Sequence, residues 1–302
     1  MITGVPTSPG PSDTGPAIRP TAVAGLFYPK DPATLLRDLD SLLGEASQRE
    51  GQREGQREDQ SGDQSPPQSA SPPKALIVPH AGYIYSGLTA ARAYASLAPF
   101  AGTITRVVLL GPSHRVGFGG LAACDLDAYD TPLGPLPVDR EWMARLDGMP
   151  AVGRLDQAHA AEHALEVHLP FLKRVLGDVS LVPIVCGQAR ASVVAEALDR
   201  LWGGPETLIV ISTDLSHYLD YASCQTKDAE TATAIDRLDD SALGPHEACG
   251  HVPLSGLLTL ARTRGLSIER IDLRNSGDTA GNRDRVVGYG SWCLWEGSNP
   301  HA

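Results

Sequence analysis

The chain has 302 residues, of which 42% are hydrophobic and 20% charged, and its formal net charge is -11. Such an acidic surface repels nucleic-acid phosphates and anionic lipid headgroups, so neither is expected as a partner. No run of about 18 apolar residues could span a membrane, and Met1–Pro20 lacks the apolar core of a secretory signal. The five cysteines form no Cys-x-x-Cys pair, which fits a reducing compartment. We therefore expect a soluble, cytoplasmic protein.

The chain divides into one candidate domain and three segments that are too polar to fold alone. Residues 1–18 are rich in Pro, Gly, Ser and Thr and are expected to be a disordered tail. Residues 45–73 contain no Leu, Ile, Val, Phe, Tyr or Trp, so we expect a disordered insertion there. A single α/β domain is predicted over residues 19–297, interrupted by that insertion, with a short tail at 298–302.

Short apolar runs alternate with helical patterns through the predicted domain. The predicted strands are Ala75–Pro79, Arg106–Leu110, Leu181–Val185, Thr207–Ser212, Ile268–Leu273 and Val286–Leu294. The predicted helices are Ala33–Leu43, Ser86–Ala98, Arg140–Asp147, Glu162–Leu176, Ala191–Trp202, Ala222–Leu238 and Leu254–Arg264. Uninterrupted apolar runs are typical of strands buried on both faces. The pattern predicts an α/β fold with a central mixed, largely parallel sheet flanked by helices, whose last two strands pair antiparallel.

Three of the predicted strands are each followed within a few residues by a histidine. These are His80, His114 and His217, and Asp214 lies close to the last of them. In open parallel sheets, ligands bind beyond the carboxyl ends of the strands. Histidine is the commonest metal ligand and a proton shuttle near neutral pH. One such histidine alone would fit a turn residue bonded to the backbone, but three in equivalent places predict a histidine-lined site.

A cysteine, Cys249, stands just before a predicted helix. The positive end of a helix dipole lowers a thiol pKa, so this cysteine is a candidate soft metal ligand or redox thiol. The alternative is a small residue packed beside Gly250. His246 and His251 flank it and offer an alternative ligand. The other four cysteines are expected to fill the core or the surface.

The predicted helix near residues 159–176 carries a second group of polar residues. His159, Glu162 and His163 match the H-x-x-E-H pattern of zinc peptidases, a weak signal in a chain with nine histidines. As an alternative, Glu162, His163 and Glu166 share a helix face that could point at the same crevice. A solvated face is the remaining interpretation for His159 and His168. Phosphate loops, dinucleotide-binding motifs and the serine-hydrolase elbow do not occur in the sequence.

Together these segments resemble the Memo family, whose bacterial and archaeal members are also called AmmeMemoRadiSam system protein B. The matching segments occur in the order typical of the family. They are Arg19–Pro29, Val78–Gly87, Leu110–His114, Glu162–Leu172, Ser212–His217, Ala248–Gly250, Asn275–Asp278 and Val286–Tyr289. They extend over nearly the whole chain and omit only the N-terminal tail and the 45–73 insertion.

The resemblance implies a fold similar to that of class III non-haem iron extradiol dioxygenases, and it implies a metal site. The implied ligands are His80, His114 and Cys249, and the implied metal is iron or copper, with zinc also suited to two imidazoles and a thiolate. His217 occupies the place of an acid–base histidine in the dioxygenase relatives. We add Asp214, as the residue that orients His217, to the catalytic candidates, together with Glu166, which shares a helix face with Glu162 and His163.

Three functions are therefore weighed. The first is a mononuclear iron or copper redox protein that takes oxygen or a small molecule at the metal. Because the dioxygenase relatives use two histidines and a carboxylate, the cysteine favours redox cycling or metal sequestration over dioxygenase activity. The second is a non-catalytic binding or adaptor module that accepts a peptide or a partner protein in the ancestral enzyme crevice, which corresponds to the active site of the dioxygenase relatives. The family name implies a radical SAM protein and an AMMECR-type protein as partners. A zinc hydrolase with Glu162 or Glu166 as base ranks last.

Overall fold

Twelve β-strands and nine α-helices alternate along residues 15–61 and 71–297, the part of the chain that the computed structural model describes. The strands are β1 (Ile18–Arg19), β2 (Ala75–Val78), β3 (Arg106–Pro112), β4 (Leu121–Ala123), β5 (Ala128–Tyr129), β6 (Leu136–Pro137), β7 (Val152–Arg154), β8 (Ser180–Cys186), β9 (Thr207–Ser212), β10 (His217–Leu219), β11 (Ser267–Asn275) and β12 (Val286–Trp295). The helices are α1 (Pro32–Ser61), α2 (Tyr83–Ala95), α3 (Arg140–Met143), α4 (Asp156–Ala160), α5 (His163–Glu166), α6 (Leu169–Leu176), α7 (Ala191–Arg200), α8 (Tyr221–Asp236) and α9 (His251–Arg264).

Nine of these strands form one mixed sheet. Its order is β10-β12-β2-β9-β3-β8-β4-β7, and β11 pairs with β12. The four strands β2, β9, β3 and β8 are mutually parallel, whereas β12 joins β2, and β4 joins β8, in antiparallel pairing. Every residue of β2 and β9 is buried, which is why both sequences are continuous apolar runs. Helix α2 packs on β2, β11 and β12, while α9 packs on β3 and β9.

All six predicted strands are present, and the predicted antiparallel pairing of the last two is confirmed by the pairing of β11 with β12. The α/β fold class, with helices flanking a central mixed sheet, is likewise confirmed. The strands β1, β4, β5, β6, β7 and β10 were not predicted. Each has only two or three residues, too few to show a hydrophobic period.

Two predicted helices differ from the structure. Helix α1 does not end near Leu43 but continues to Ser61, into the segment for which the sequence predicts disorder. Glu, Gln and Arg, which recur there, have high intrinsic helix propensity, and this offsets the missing apolar residues. The rest of the predicted tails and insertion, residues 1–14, 62–70 and 298–302, lies outside the described residues. Within the described ranges, none of the helices is long and apolar enough to cross a membrane.

The single helix predicted over Glu162–Leu176 is also wrong, because the chain breaks it. Helix α4 ends at Ala160, α5 contains only His163–Glu166, and α6 starts at Leu169. The side chain of Glu162 accepts a hydrogen bond from the Ala164 amide and caps α5, while its extended backbone separates α5 from α4. Residues on either side of this break therefore do not share one helix face.

One consequence for stability comes from His168, which is fully buried beside Tyr94. Burial lowers the pKa of His168 to about 3. In the unfolded chain this histidine takes up a proton below about pH 6.5, whereas in the folded protein it stays neutral down to about pH 3. The free energy of unfolding therefore keeps its full value above pH 6.5 with respect to this group, and it decreases as the pH falls from 6.5 towards 3. We expect the free energy of unfolding to fall by about 1.4 kcal/mol per pH unit on account of this group.

Urea denaturation at pH 6.5, 5.5 and 4.5 checks this expectation against a His168→Gln variant. The variant should show a shallower dependence of the unfolding free energy on pH, whatever its absolute stability. Equal slopes in the two proteins would contradict the assignment to His168.

Candidate metal centre

Neighbouring parallel strands end at one edge of the sheet and carry the side chains of the candidate site there. His80 follows β2, His114 follows β3, and Asp214 follows β9, which lies between those two strands. The ring centroids of His80 and His114 are 5.2 Å apart. The carboxyl ends of parallel strands meet at the same edge, so the fold brings together residues that are far apart in sequence.

His80 is buried, and Ser212 fixes its ring. Its Nδ1 lies 2.6 Å from Ser212 Oγ, and that hydroxyl donates to the Ala164 carbonyl oxygen at 2.7 Å. A hydroxyl has one proton to donate, so His80 Nδ1–H is the donor to Ser212, and the lone pair of Nε2 faces the Cys249 sulfur, 3.4 Å away. Burial, together with the neighbouring histidines, lowers the pKa of His80 well below its usual value. The ring is therefore neutral and able to bind a metal through Nε2.

Glu162 holds His114 through two hydrogen bonds. Glu162 Oε2 accepts from the His114 backbone amide at 2.6 Å, and Oε1 accepts from His114 Nδ1 at 2.8 Å. Burial raises the pKa of Glu162, but the hydrogen bonds from His114 and from the Ala164 amide outweigh burial and hold the pKa below its usual value. The carboxylate therefore stays charged, and Nε2 of His114 is the nitrogen left to bind a ligand.

Two glycines allow the chain segments around the site to pack closely against one another. A Cβ at Gly111, in β3, would lie 3.0 Å from Leu165 Cδ2, so glycine allows α5 to pack against the end of β3. A Cβ at Gly250 would lie 2.4 Å from the Ser212 carbonyl oxygen. The first glycine brings Glu162 to His114, and the second brings Cys249 to His80.

His163 completes a group of three histidines. Its ring stacks on His114 with centroids 4.6 Å apart, and it lies 5.4 Å from the ring of His80. One ring nitrogen from each of the three histidines lies within 4.8 Å of the others. Burial lowers the pKa of His163 to about 4, and its buried Nδ1 makes no hydrogen bond, with Glu162 Oε1 at 3.4 Å. Three imidazoles at this spacing fit one metal ion.

The zinc-peptidase pattern does not form a site, because His159 points elsewhere. His159 Nε2 donates to the Ala122 carbonyl oxygen at 3.0 Å, and Nδ1 accepts from the Tyr129 hydroxyl at 2.5 Å. Both nitrogens are occupied, and the break between α4 and α5 separates this ring from His163. The interpretation of His159 and His168 as solvated residues is also wrong, since both are fully buried.

Cys249 lies directly beside the three histidines. Its Sγ is 3.4 Å from His80 Nε2 and accepts from the Asp214 amide at 3.3 Å. Burial, and next the charge of Asp214, raise the pKa of this thiol to about 12, so the predicted lowering of its pKa by the helix dipole is wrong. Of the flanking histidines, His246 lines the cleft, whereas His251 Nδ1 lies 3.3 Å from the Ala248 carbonyl oxygen.

Asp214 and His217 also line the site. Burial raises the pKa of Asp214 to about 6, although the neighbouring His217 and the hydrogen bond from the His80 amide act in the opposite direction. His217 Nδ1 donates to the Leu215 carbonyl oxygen at 2.8 Å. A backbone carbonyl therefore orients His217, and not Asp214 as expected, and Nε2 is left as the proton-accepting nitrogen.

Glu166, a predicted catalytic residue, lies away from the cleft and is fully occupied. Its carboxylate accepts from Arg19 at 2.7 Å, from the amides of Ala22 at 2.7 Å and Val23 at 2.9 Å, and from the Tyr28 hydroxyl at 2.7 Å. Both Arg19 and Glu166 are buried. This geometry gives Glu166 an anchoring role for the N-terminal segment and no access to a ligand.

The site opens into a cleft of about 670 Å³. Its wall includes His80, His114, His163, Asp214, His217 and Cys249. Apolar and aromatic residues surround them, namely Leu26, Phe27, Tyr85, Tyr218, Val287 and Tyr289. Phe27 packs on the ring of His163, with centroids 5.0 Å apart. The cleft thus combines a polar floor with an apolar rim.

Five of the six residues predicted for the site line this cleft, and the exception is Glu166. His163 was predicted within the zinc-peptidase pattern and as one of three residues on a helix face, but not as a neighbour of His80 and His114, because the position of its ring depends on the break before α5. Tyr218 and Tyr289 were missed. The positive φ of Tyr218 leaves no signal in the sequence.

Comparison with known proteins places the chain in a family. The family model for Memo-like proteins matches residues 19–293. A MEMO1 family protein of Aquifex aeolicus is 34% identical over 287 residues, which cover 90% of this chain and 97% of the relative. Another MEMO1 family protein, from Sulfolobus acidocaldarius, is 33% identical, with coverage of 90% and 97% respectively. One from Thermotoga petrophila is 34% identical, with coverage of 92% and 99%.

Among solved structures, the crystal structure of uncharacterized protein JW3007 from Escherichia coli K12 is similar, with a TM-score of 0.46 and 12% sequence identity. The match covers 72% of this chain and 98% of that one. The family model covers most of the chain, and the relatives are matched over nearly their full length. The chain therefore belongs to the Memo family.

Proposed function

We propose that the cleft binds one redox-active metal ion, iron or copper, through His80, His114 and Cys249. The observation that carries this proposal is the tautomer of two histidines: Ser212 and Glu162 each occupy Nδ1 of one ring, so both rings offer the lone pair of Nε2 to a ligand. The Cys249 sulfur lies 3.4 Å from one of these nitrogens. His163 is a further candidate ligand for the same metal ion, since its ring lies beside His80 and His114 and its buried Nδ1 makes no hydrogen bond.

The donor set supports a transition metal over magnesium or calcium. Imidazole and thiolate ligands suit iron, copper and zinc, whereas magnesium and calcium prefer oxygen ligands. Cys249 would bind as the thiolate, so metal uptake would release its proton. The metal, when bound, would supply one-electron chemistry and a coordination position for oxygen or another small ligand.

The residues around the metal ligands have separate tasks in this proposal. Nε2 of His217 accepts a proton from a ligand in the cleft. Asp214, with a pKa of about 6, is close to half protonated at mildly acidic pH and holds the His80 backbone amide. Phe27 covers His163 and limits the access of water from that side.

Metal analysis of protein purified without oxygen tests the proposal. We expect close to one iron or copper ion per chain, and a large loss of metal in His80→Ala and in Cys249→Ser. His163→Ala tells whether the third histidine also binds the ion. His251→Ala is the matched control, because this histidine lies next to Cys249 in sequence but does not line the cleft. Undiminished metal content in both His80→Ala and Cys249→Ser would end the proposal, and tight zinc would favour a hydrolytic site instead.

The second candidate, a binding or adaptor module, is favoured by the exposed apolar rim. Leu26 is 80% exposed and Tyr218 is 64% exposed, and both line the cleft. The rim could accept a side chain of a partner, such as the radical SAM protein or AMMECR-type protein that the family name implies. Capture of either purified partner by the His80→Ala variant, with wild-type affinity, would favour this second function over the redox one.

A further inference from the structure

Tyr218, at the rim of the cleft, has a backbone conformation that L-residues rarely adopt. Its φ is 60°, in the left-handed region, where a large side chain is uncommon. The strand pairing shows why. His217 pairs with Val287 and Leu219 pairs with Val286, so β10 carries one more residue than β12 across this interval. Tyr218 is that extra residue, and the strand forms a β-bulge there.

The bulge changes the direction of one side chain. In a regular strand, adjacent residues point to opposite faces of the sheet. Here the adjacent residues His217 and Tyr218 both line the cleft, and their ring centroids are 5.8 Å apart. Strained backbone and bulges persist at ligand sites, where they aim a side chain that a regular strand would point away.

The Tyr218 ring is then available to a ligand. It is 64% exposed, although packing against the protein would bury more of its apolar surface. The guanidinium of Arg285 lies over the ring, 4.9 Å from its centroid, and occupies one face. Leu26 and Tyr85 contribute further apolar surface to the same cleft. A hydrocarbon rim beside the free histidine nitrogens suits a ligand with a flat apolar part and a polar end.

We propose that Tyr218 is a specificity-determining residue of the cleft, and that it stacks against a flat aromatic group of the ligand while the polar end faces the histidines. This inference rests on the proposed function for the metal at the floor of the cleft, but the ligand contact itself is made by Tyr218. Aromatic pairs prefer offset-stacked or edge-to-face geometry, which a bulky non-planar group cannot match.

The test measures binding of 2-naphthol to the full-length protein by fluorescence anisotropy, with cyclohexanol as the non-planar competitor. Tyr218→Gly removes the ring but tolerates the positive φ, so it separates binding from strain. Tyr218→Phe keeps the ring. Ile84→Ala is the matched control, because Ile84 is a 68% exposed apolar residue that does not line the cleft.

We expect Tyr218→Gly to weaken 2-naphthol binding roughly twofold to tenfold, with binding retained in Tyr218→Phe and Ile84→Ala. The melting temperature of the Tyr218→Gly variant should be no lower than that of the wild type, since glycine adopts the positive φ without strain. Three results would overturn the inference: no saturable binding to the wild type, unchanged binding in Tyr218→Gly, or a clearly lowered melting temperature in that variant. Metal content is recorded for every variant, so a failure of the metal proposal is seen separately.

Discussion

Replacement of Glu166 by alanine is expected to lower the free energy of unfolding by about 3–5 kcal/mol, because the guanidinium of Arg19 then remains buried without its partner. The loss includes more than one ion pair. The amides of Ala22 and Val23 and the hydroxyl of Tyr28 also donate to this carboxylate. With about 2–4 °C of melting temperature for each kcal/mol in a domain of this size, the decrease should reach roughly 6 °C or more.

Thermal and urea denaturation measure this effect, and Glu196→Ala is the matched control. Glu196 forms an exposed i,i+4 ion pair with Arg200, so its loss should cost well under 1 kcal/mol. The result also decides between an anchoring and a catalytic role for Glu166. A variant with wild-type stability would disprove the anchoring role and return Glu166 to the list of catalytic candidates.

Replacement of Glu162 by alanine is expected to weaken metal binding roughly tenfold to a hundredfold, although Glu162 is not itself a predicted ligand. The carboxylate orients His114 through its Nδ1 and its backbone amide, and it also caps α5, which carries His163. Without it, both rings lose the interactions that fix their directions.

Competition with a chelator of known affinity measures the loss. The Glu162→Gln variant should fall between wild type and alanine, because one amide oxygen can still accept from His114 while the amide nitrogen meets a second donor. The exposed Glu196→Ala variant again controls for the removal of a negative charge. Wild-type metal affinity in Glu162→Ala would show that His114 needs no such orientation, and it would weaken the case for His114 as a ligand.

The central sheet could be predicted from sequence because its chemistry is local. Val107–Leu110 and Leu208–Ile211 are continuous apolar runs, and continuous burial on both faces is what such runs indicate. Strands such as β4 and β10 could not be found, since three residues are held by pairing with distant neighbours and not by their own pattern. The part of helix α1 beyond Leu43 was missed because the prediction relied on a periodic apolar face. That segment has no such face, and its helix depends on the intrinsic helix propensity of its residues.

The candidate site was partly predictable for a similar reason. Histidines after buried strands can be read from the sequence, because parallel strands end at one edge whatever the rest of the chain does. The role of Glu166 could not be read, since its partner Arg19 is 147 residues away. The Tyr218 bulge likewise depends on how β10 meets β12, a pairing of residues about seventy positions apart.

The burial of Arg19 against Glu166 also has a consequence for synthesis of the chain. At about 5–20 residues per second, the 147 residues that separate the two take roughly 7 to 30 s to be made. Throughout that time the segment from Arg19 to Tyr28 has no carboxylate to anchor it. We therefore expect this segment, although translated first, to be among the last to join the folded domain, and Val23 and Tyr28, which are buried in the folded protein, to remain accessible to chaperones until it does.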